Sequence, residues 1–135
     1  MAPTLTIGQV AKATGVPART LRYYEAVGVL RRANRSAAGY RQYGERELER
    51  IRFVRRARAL GLSLQDVRTL AGALDGHAGR RVRPVLRALV GQQLAAVRRQ
   101  RGDLHVLQRQ LARVQHRLAT RAPAALDGAC RCLER

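Results

Sequence analysis

The side chains best suited to a polyanionic partner cluster near the N-terminus. Ala18-Arg19-Thr20-Leu21-Arg22-Tyr23-Tyr24 sets two guanidinium groups, one hydroxyl and two phenols in a single short run. Arg donates two parallel hydrogen bonds to the O6 and N7 edge of guanine, and Thr and Tyr hydroxyls suit phosphates or base edges. Arg35, Tyr40, Arg41 and Tyr43 repeat that chemistry in a second stretch. At the far end, Cys130-Arg131-Cys132 could place two thiolates on one soft ion such as Cu(I), which accepts low-coordinate sulfur ligation. Two thiols cannot close a tetrahedral zinc site, which needs four ligands. The nine acidic residues are scattered, and His77, His105 and His116 lie far apart in the chain. No nucleophile–base pair or metal triad follows, so an enzyme is not expected.

Ordered elements must position these groups. Thr6-Ile7-Gly8-Gln9 is a capping-box pattern that opens a helix reaching about Ala13, and Gly15 breaks it. Pro17 then starts a second helix, about Ala18 to Ala26, that stops at Gly28. Ala11, Gly15 and Leu21 have helix-turn-helix spacing, which turns the basic, aromatic face of the second helix toward a major groove. Val29-Leu30-Arg31-Arg32 and Tyr40-Arg41-Gln42-Tyr43, around a Gly-containing loop, predict a small β-hairpin. A third helix, about Glu45 to Leu60, buries Leu48, Ile51, Val54 and Ala57. Ser63 caps a fourth, with Leu64, Val67, Leu70, Ala71 and Leu74 inward.

Beyond a linker at residues 76–81, the pattern supports one long helix over 82–120, with Pro84 accommodated in its first turn. Val90, Val97, Leu104, Leu111 and Leu118 recur every seven residues, while Leu86, Gln93, Gln100, Leu107 and Val114 fill the second seam position. That is a coiled-coil stripe with a polar centre. Its length favours a partner helix from a second chain over an intrachain hairpin. Residues 121–135 form a tail that carries the cysteines.

Composition agrees. The chain of 135 residues has 27 basic and 9 acidic residues, a net charge of +18, and a hydrophobic fraction of 46%. Such charge points to nucleic acid first and an anionic membrane surface second, and the hydrophobic fraction demands a folded core. No apolar run is long enough to span a bilayer, and the N-terminus lacks a signal-peptide pattern. A cytoplasmic protein without a membrane partner is expected. Lys12 is the one basic residue that is not Arg, a preference that a GC-rich genome would also give. Arg98, Arg99, Arg101, Arg109, Arg113 and Arg117 on the long helix read as a solvated face.

Thr6-Ile7-Gly8-Gln9-Val10-Ala11, Thr20-Leu21-Arg22-Tyr23-Tyr24-Glu25, Gly39-Tyr40-Arg41-Gln42-Tyr43 and Ala59-Leu60-Gly61-Leu62-Ser63-Leu64 together resemble the MerR family of bacterial transcription regulators. The likeness covers about residues 5–75 in order. It implies a mainly α fold: an N-terminal winged helix-turn-helix DNA-binding domain (1–75) followed by a dimerisation helix that forms an antiparallel coiled coil. It also implies a homodimer on a palindromic promoter operator, control by DNA distortion, and RNA polymerase as a further partner. By analogy Arg19, Thr20, Arg22, Tyr23 and Tyr24 contact DNA from the second helix, and Arg35, Tyr40 and Arg41 from the wing. Tyr24 and Tyr43 also suit the core, and Glu25 suits an intradomain Arg partner. Short members of the family sense metals, redox state or electrophiles through cysteine, which makes Cys130 and Cys132 the candidate metal ligands. The chain departs from the metal-sensing pattern: no cysteine stands at Arg81-Val82-Arg83, and the cysteine pair is close-set without a following proline. Exposed thiols without function are the competing reading of that pair. A low-specificity architectural nucleic-acid binder is the competing reading of the whole chain.

Overall fold

The first helix, α1 (Ile7–Thr14), is set by its ends. The Thr6 amide donates to Gln9 Oε1 at 2.8 Å, and the Gln9 amide donates to Thr6 Oγ1 at 3.4 Å, so two otherwise orphaned donors are satisfied reciprocally. Gly15 ends the helix at φ 71°, a left-handed conformation that glycine adopts without steric cost. The computed structural model describes residues 3–75 and 79–120. After α1 come α2 (Ala18–Ala26), β1 (Asn34–Arg35), β2 (Arg41–Gln42), α3 (Glu45–Ala59), α4 (Leu64–Asp75) and α5 (Gly79–Thr120). The fold is mainly helical, as the sequence implies.

Val10, Val16 and Leu21 are buried where α1 and α2 meet. α3 buries the expected Leu48, Ile51, Val54 and Ala57, and α4 adds Val67, Leu70 and Ala71. Ser63 caps α4 through a reciprocal pair with Asp66: its amide donates to Asp66 Oδ2, and its Oγ accepts from the Asp66 amide, both at 3.1 Å. Leu74 differs from expectation. It stays 40% exposed and borders a cavity with Leu30, Ile51 and Phe53.

The hairpin forms later in the chain than the pattern predicts. Asn34 pairs with Gln42 and Arg35 with Arg41, antiparallel, so the first strand is not Val29–Arg32. The amides of Val29 and Leu30 both donate to the Tyr24 carbonyl, which folds the chain back on α2 and drives both side chains into the core. The hydrophobic pair thus closes the helix instead of starting a strand. A bridge between Leu5 and Tyr43, with amide–carbonyl bonds of 2.8 and 3.0 Å, ties the N-terminal segment to the wing.

α5 starts at Gly79, so residues 79–81 are helical and Pro84 lies beyond the first turn. The first turn of a helix tolerates glycine, and Arg is a good helix former, so the helix extends back past the expected start. Val82 is buried in the core, with Val85, Leu86 and Leu89 packed against it. The first compact unit accordingly runs through Gln93, and the second begins at Leu94. Gln93 is therefore more than a polar seam position. A Cβ on Gly61, which has φ 80°, would lie 2.5 Å from Gln93 Nε2, so this side chain rests on the α3–α4 turn. In the second unit Val97, Leu104, Leu107, Leu111 and Leu118 are each about half exposed in the single chain, at 47–59%. Cys130, Cys132 and His77 lie outside the described residues.

Candidate nucleic-acid interface

Leu21 fastens α2 to the core, which decides what the opposite face presents. Arg19, Arg22 and Tyr23, spaced i, i+3 and i+4, form the outward face, and Tyr23 is 53% exposed. Thr20 is half-buried beside them. Tyr24 is half-buried and packs against the core, its ring 6.2 Å from that of Tyr23 and tilted by 44°. Tyr24 therefore packs against the core and stays partly accessible beside Tyr23.

The wing is built from its own hydrogen bonds. The Ser36 amide donates to the Tyr40 carbonyl at 2.8 Å, and the Tyr40 amide donates to Ser36 Oγ at 3.2 Å. Arg35 Nη1 donates to the Gly39 carbonyl at 2.8 Å, which stiffens the tip. Tyr40 stands at that tip, 71% exposed.

Glu25 joins the two pieces. Its side chain is only 9% exposed, and Arg41 Nε donates to its Oε2 at 3.2 Å. Its Oε1 accepts from the Tyr43 hydroxyl at 2.8 Å. Tyr43 is core, 2% exposed; burial first, and then the bond to Glu25, push its phenol well above the ordinary tyrosine range. One carboxylate from the end of α2 thus fixes the register of the wing. Arg41 is thus a side chain already held by α2.

A second network was invisible in the sequence. Arg50 of α3 pairs bidentately with Asp75 at the end of α4 and donates to the Ala71 carbonyl at 3.0 Å. Arg31, just past α2, reaches the same carboxylate at 2.9 Å. Asp75 is thereby held below the usual carboxylate range, first through the hydrogen bond from Arg50. Twenty-five residues separate Arg50 from Asp75, and no local pattern links them. A depressed acid contributes stability that is present above its unfolded value, 3.8, and lost as pH falls through the folded one. Asp75→Asn is expected to cost about 1–2 kcal/mol at neutral pH. In thermal melts across pH, the gap to wild type should close in strong acid. A gap that persists there would mean the pair is not its source.

The sequence of these elements matches a model described as MerR HTH family regulatory protein over residues 5–74. A second, described as MerR, DNA binding, matches residues 48–114. The chain belongs to the MerR family. The HTH-type transcriptional regulator PA4778 of Pseudomonas aeruginosa is 37% identical over 103 residues, 76% of each chain. A Haemophilus influenzae protein named "Probable heavy metal-dependent transcriptional regulator" is 36% identical over 112 residues, 83% of this chain and 84% of its own. Among solved structures, the transcription regulator PbrR691 of Ralstonia metallidurans, in complex with lead(II), aligns at 28% identity. That alignment covers 98% of this chain and 99% of the other, with a TM-score of 0.71. This MerR-family chain is a DNA-binding transcriptional regulator, and its relatives are regulators, not enzymes. Among the described residues, no helix is long and apolar enough to cross a membrane, and no group of three or more His, Cys, Asp or Glu is placed to hold a metal ion.

Proposed function

We propose that the protein is a cytoplasmic, homodimeric regulator that binds a palindromic operator in double-stranded promoter DNA. Two copies join through the α5 stripe as an antiparallel coiled coil. The observation that carries this reading is the outward face of α2, braced by Glu25 to the wing. Arg19, Thr20, Arg22, Tyr23 and Tyr24 contact DNA from α2, and Arg35, Tyr40 and Arg41 from the wing. The exposed seam of α5 supports dimerisation, because half-exposed Leu and Val at seven-residue spacing recover apolar burial only against another helix. Transcription is controlled by distorting the promoter under RNA polymerase, a form of readout that works through DNA deformability.

The signal is a soft metal ion of the Cu(I) type or a thiol-reactive or redox signal, received at Cys130 and Cys132. The described residues supply no rival ligand set, and His105 and His116 are exposed on α5 away from the seam. Two thiolates suit a low-coordinate soft ion. The Haemophilus and Ralstonia relatives, named for heavy-metal dependence and solved with lead(II), support the metal branch of this reading.

Native mass spectrometry of anaerobically purified protein, before and after Cu(I), Zn(II) and Hg(II), tests the proposal. A dimer should gain Cu(I) stoichiometrically, and Cys130→Ser with Cys132→Ser should abolish the uptake while leaving DNA binding intact. A monomer would remove the coiled-coil reading. A wild-type inducer response in the double variant would remove the thiols from the mechanism.

A further inference from the structure

α3 carries six arginines, and they fall into groups with different work. Arg50 is committed to Asp75 and Arg58 Nη1 to the Leu62 carbonyl at 2.7 Å. Arg52, Arg55, Arg56 and Ala59, spaced i, i+3, i+4 and i+7, instead line one recess of about 420 Å³ with Ala13 and Thr14 of α1. None of the residues lining it is acidic. Among the described residues, the carboxylate paired with the group is that of Glu45, which reaches Arg52 at 3.7 Å from a side chain 71% exposed, a contact that water and salt largely screen.

Arg55 is fixed within this group. Its Nη1 donates to the Thr14 carbonyl at 2.9 Å, where it faces the negative end of the α1 dipole. A Cβ on Gly15 would lie 3.3 Å from the Arg55 guanidinium carbon, so glycine at this cap leaves room for the planar group. Arg52 and Arg56 flank it, both exposed. A recess lined by three guanidinium groups, two alanines and a threonine, with no carboxylate, suits a compact, doubly coordinated anion better than a cation or an apolar chain.

Position names the anion. Thr14 leads through Gly15, Val16 and Pro17 into Ala18, the first residue of α2, and Arg19 follows. That is the end of a recognition helix that enters the major groove, so the adjoining surface borders the phosphates along the groove edge. We propose that Arg52 and Arg56, ordered around Arg55, bind a backbone phosphate of duplex DNA beside the N-terminal end of α2. The inference rests on the DNA-binding reading and adds to it a site on α3 outside the recognition helix and wing.

The test is Arg52→Gln with Arg56→Gln, which leaves the Arg55 tether in place. Binding to a duplex carrying the protein's own promoter and to a random duplex of equal length is titrated between 50 and 200 mM salt, with melting curves for both proteins. A phosphate contact weakens both duplexes by the same factor, about tenfold, and makes the log–log salt slope shallower by about one per protomer. Unchanged affinity and slope in a variant that melts like wild type overturns the site. A loss confined to the promoter duplex also overturns it, since that marks base reading. Intact DNA binding with weakened capture of RNA polymerase would assign the patch to an acidic protein surface instead. If the double variant melts early, Arg56→Glu alone, at an exposed position, repeats the comparison. Wild-type protein that binds neither duplex would sink the DNA-binding reading itself.

Discussion

Glu25→Ala is expected to lower the unfolding free energy by about 3 kcal/mol and to weaken DNA binding, although nothing requires Glu25 to touch DNA. The carboxylate serves two buried or half-buried donors at once, the Tyr43 hydroxyl and Arg41 Nε. Truncation leaves a phenol in the core without an acceptor and a guanidinium without its counter-charge. Unpaired buried groups cost more than the bonds were worth net, about 1–3 kcal/mol each, and more when charged. Glu25→Gln keeps an acceptor for Tyr43 and gives up the charge, so it should fall between the two. The Tyr43 phenol gives a second readout. A folded-state value raised above the ordinary 10.0 contributes stability that is intact below pH 10 and lost as pH climbs toward the folded value. Tyr43→Phe should abolish that alkaline loss. Chemical denaturation at pH 7 and again above pH 10, for wild type and the three variants, checks the set. A Glu25→Ala protein as stable as wild type would mean that α2 and the wing are held by packing alone.

How far the sequence reached follows from the range of each signal. Thr6 with Gln9, Gly15, and the spacing of Leu48, Ile51, Val54 and Ala57 are local, so those helices could be read directly. Glu25 could be read as an intradomain partner because a lone acid at the end of an Arg-rich helix needs a counter-charge. The hairpin's first strand is not legible because Val29 and Leu30 have strand-like composition, and only the bonds from both amides to the Tyr24 carbonyl reveal a folded-back turn. The Arg31–Asp75–Arg50 cluster and the recess lined by Arg52, Arg55 and Arg56 require elements distant in sequence to meet, and no periodicity encodes that meeting. Gln93 belongs to the same class. Its seam spacing is regular, yet its side chain rests on Gly61, a contact set by how the start of α5 packs. Cys130 and Cys132 were legible only as a pair of soft ligands, since two residues of that type define a donor set but not a geometry.

Arg22→Ala should abolish specific operator binding while leaving the dimer and its melting curve as they are. Arg22 is exposed on α2, one turn before the Glu25 lock, while its neighbour Leu21 is buried. A bidentate Arg–guanine contact discriminates by about 1–3 kcal/mol, or roughly fivefold to more than a hundredfold per half-site, and a dimer loses it twice. Random duplex should lose only the general charge effect of one cation per protomer, so the ratio of operator to random affinity collapses. That ratio also separates this regulator from a low-specificity architectural binder, whose wild-type ratio would already sit below about a thousandfold. Equal losses on both duplexes would make Arg22 a phosphate contact and move base reading to Arg19 or the wing. Operator affinity that does not change would remove Arg22 from the interface. Arg22→Lys sharpens the point, because it keeps the charge and discards the planar fork: if bidentate reading is the mechanism, Lys should restore binding to random duplex but not preference for the operator.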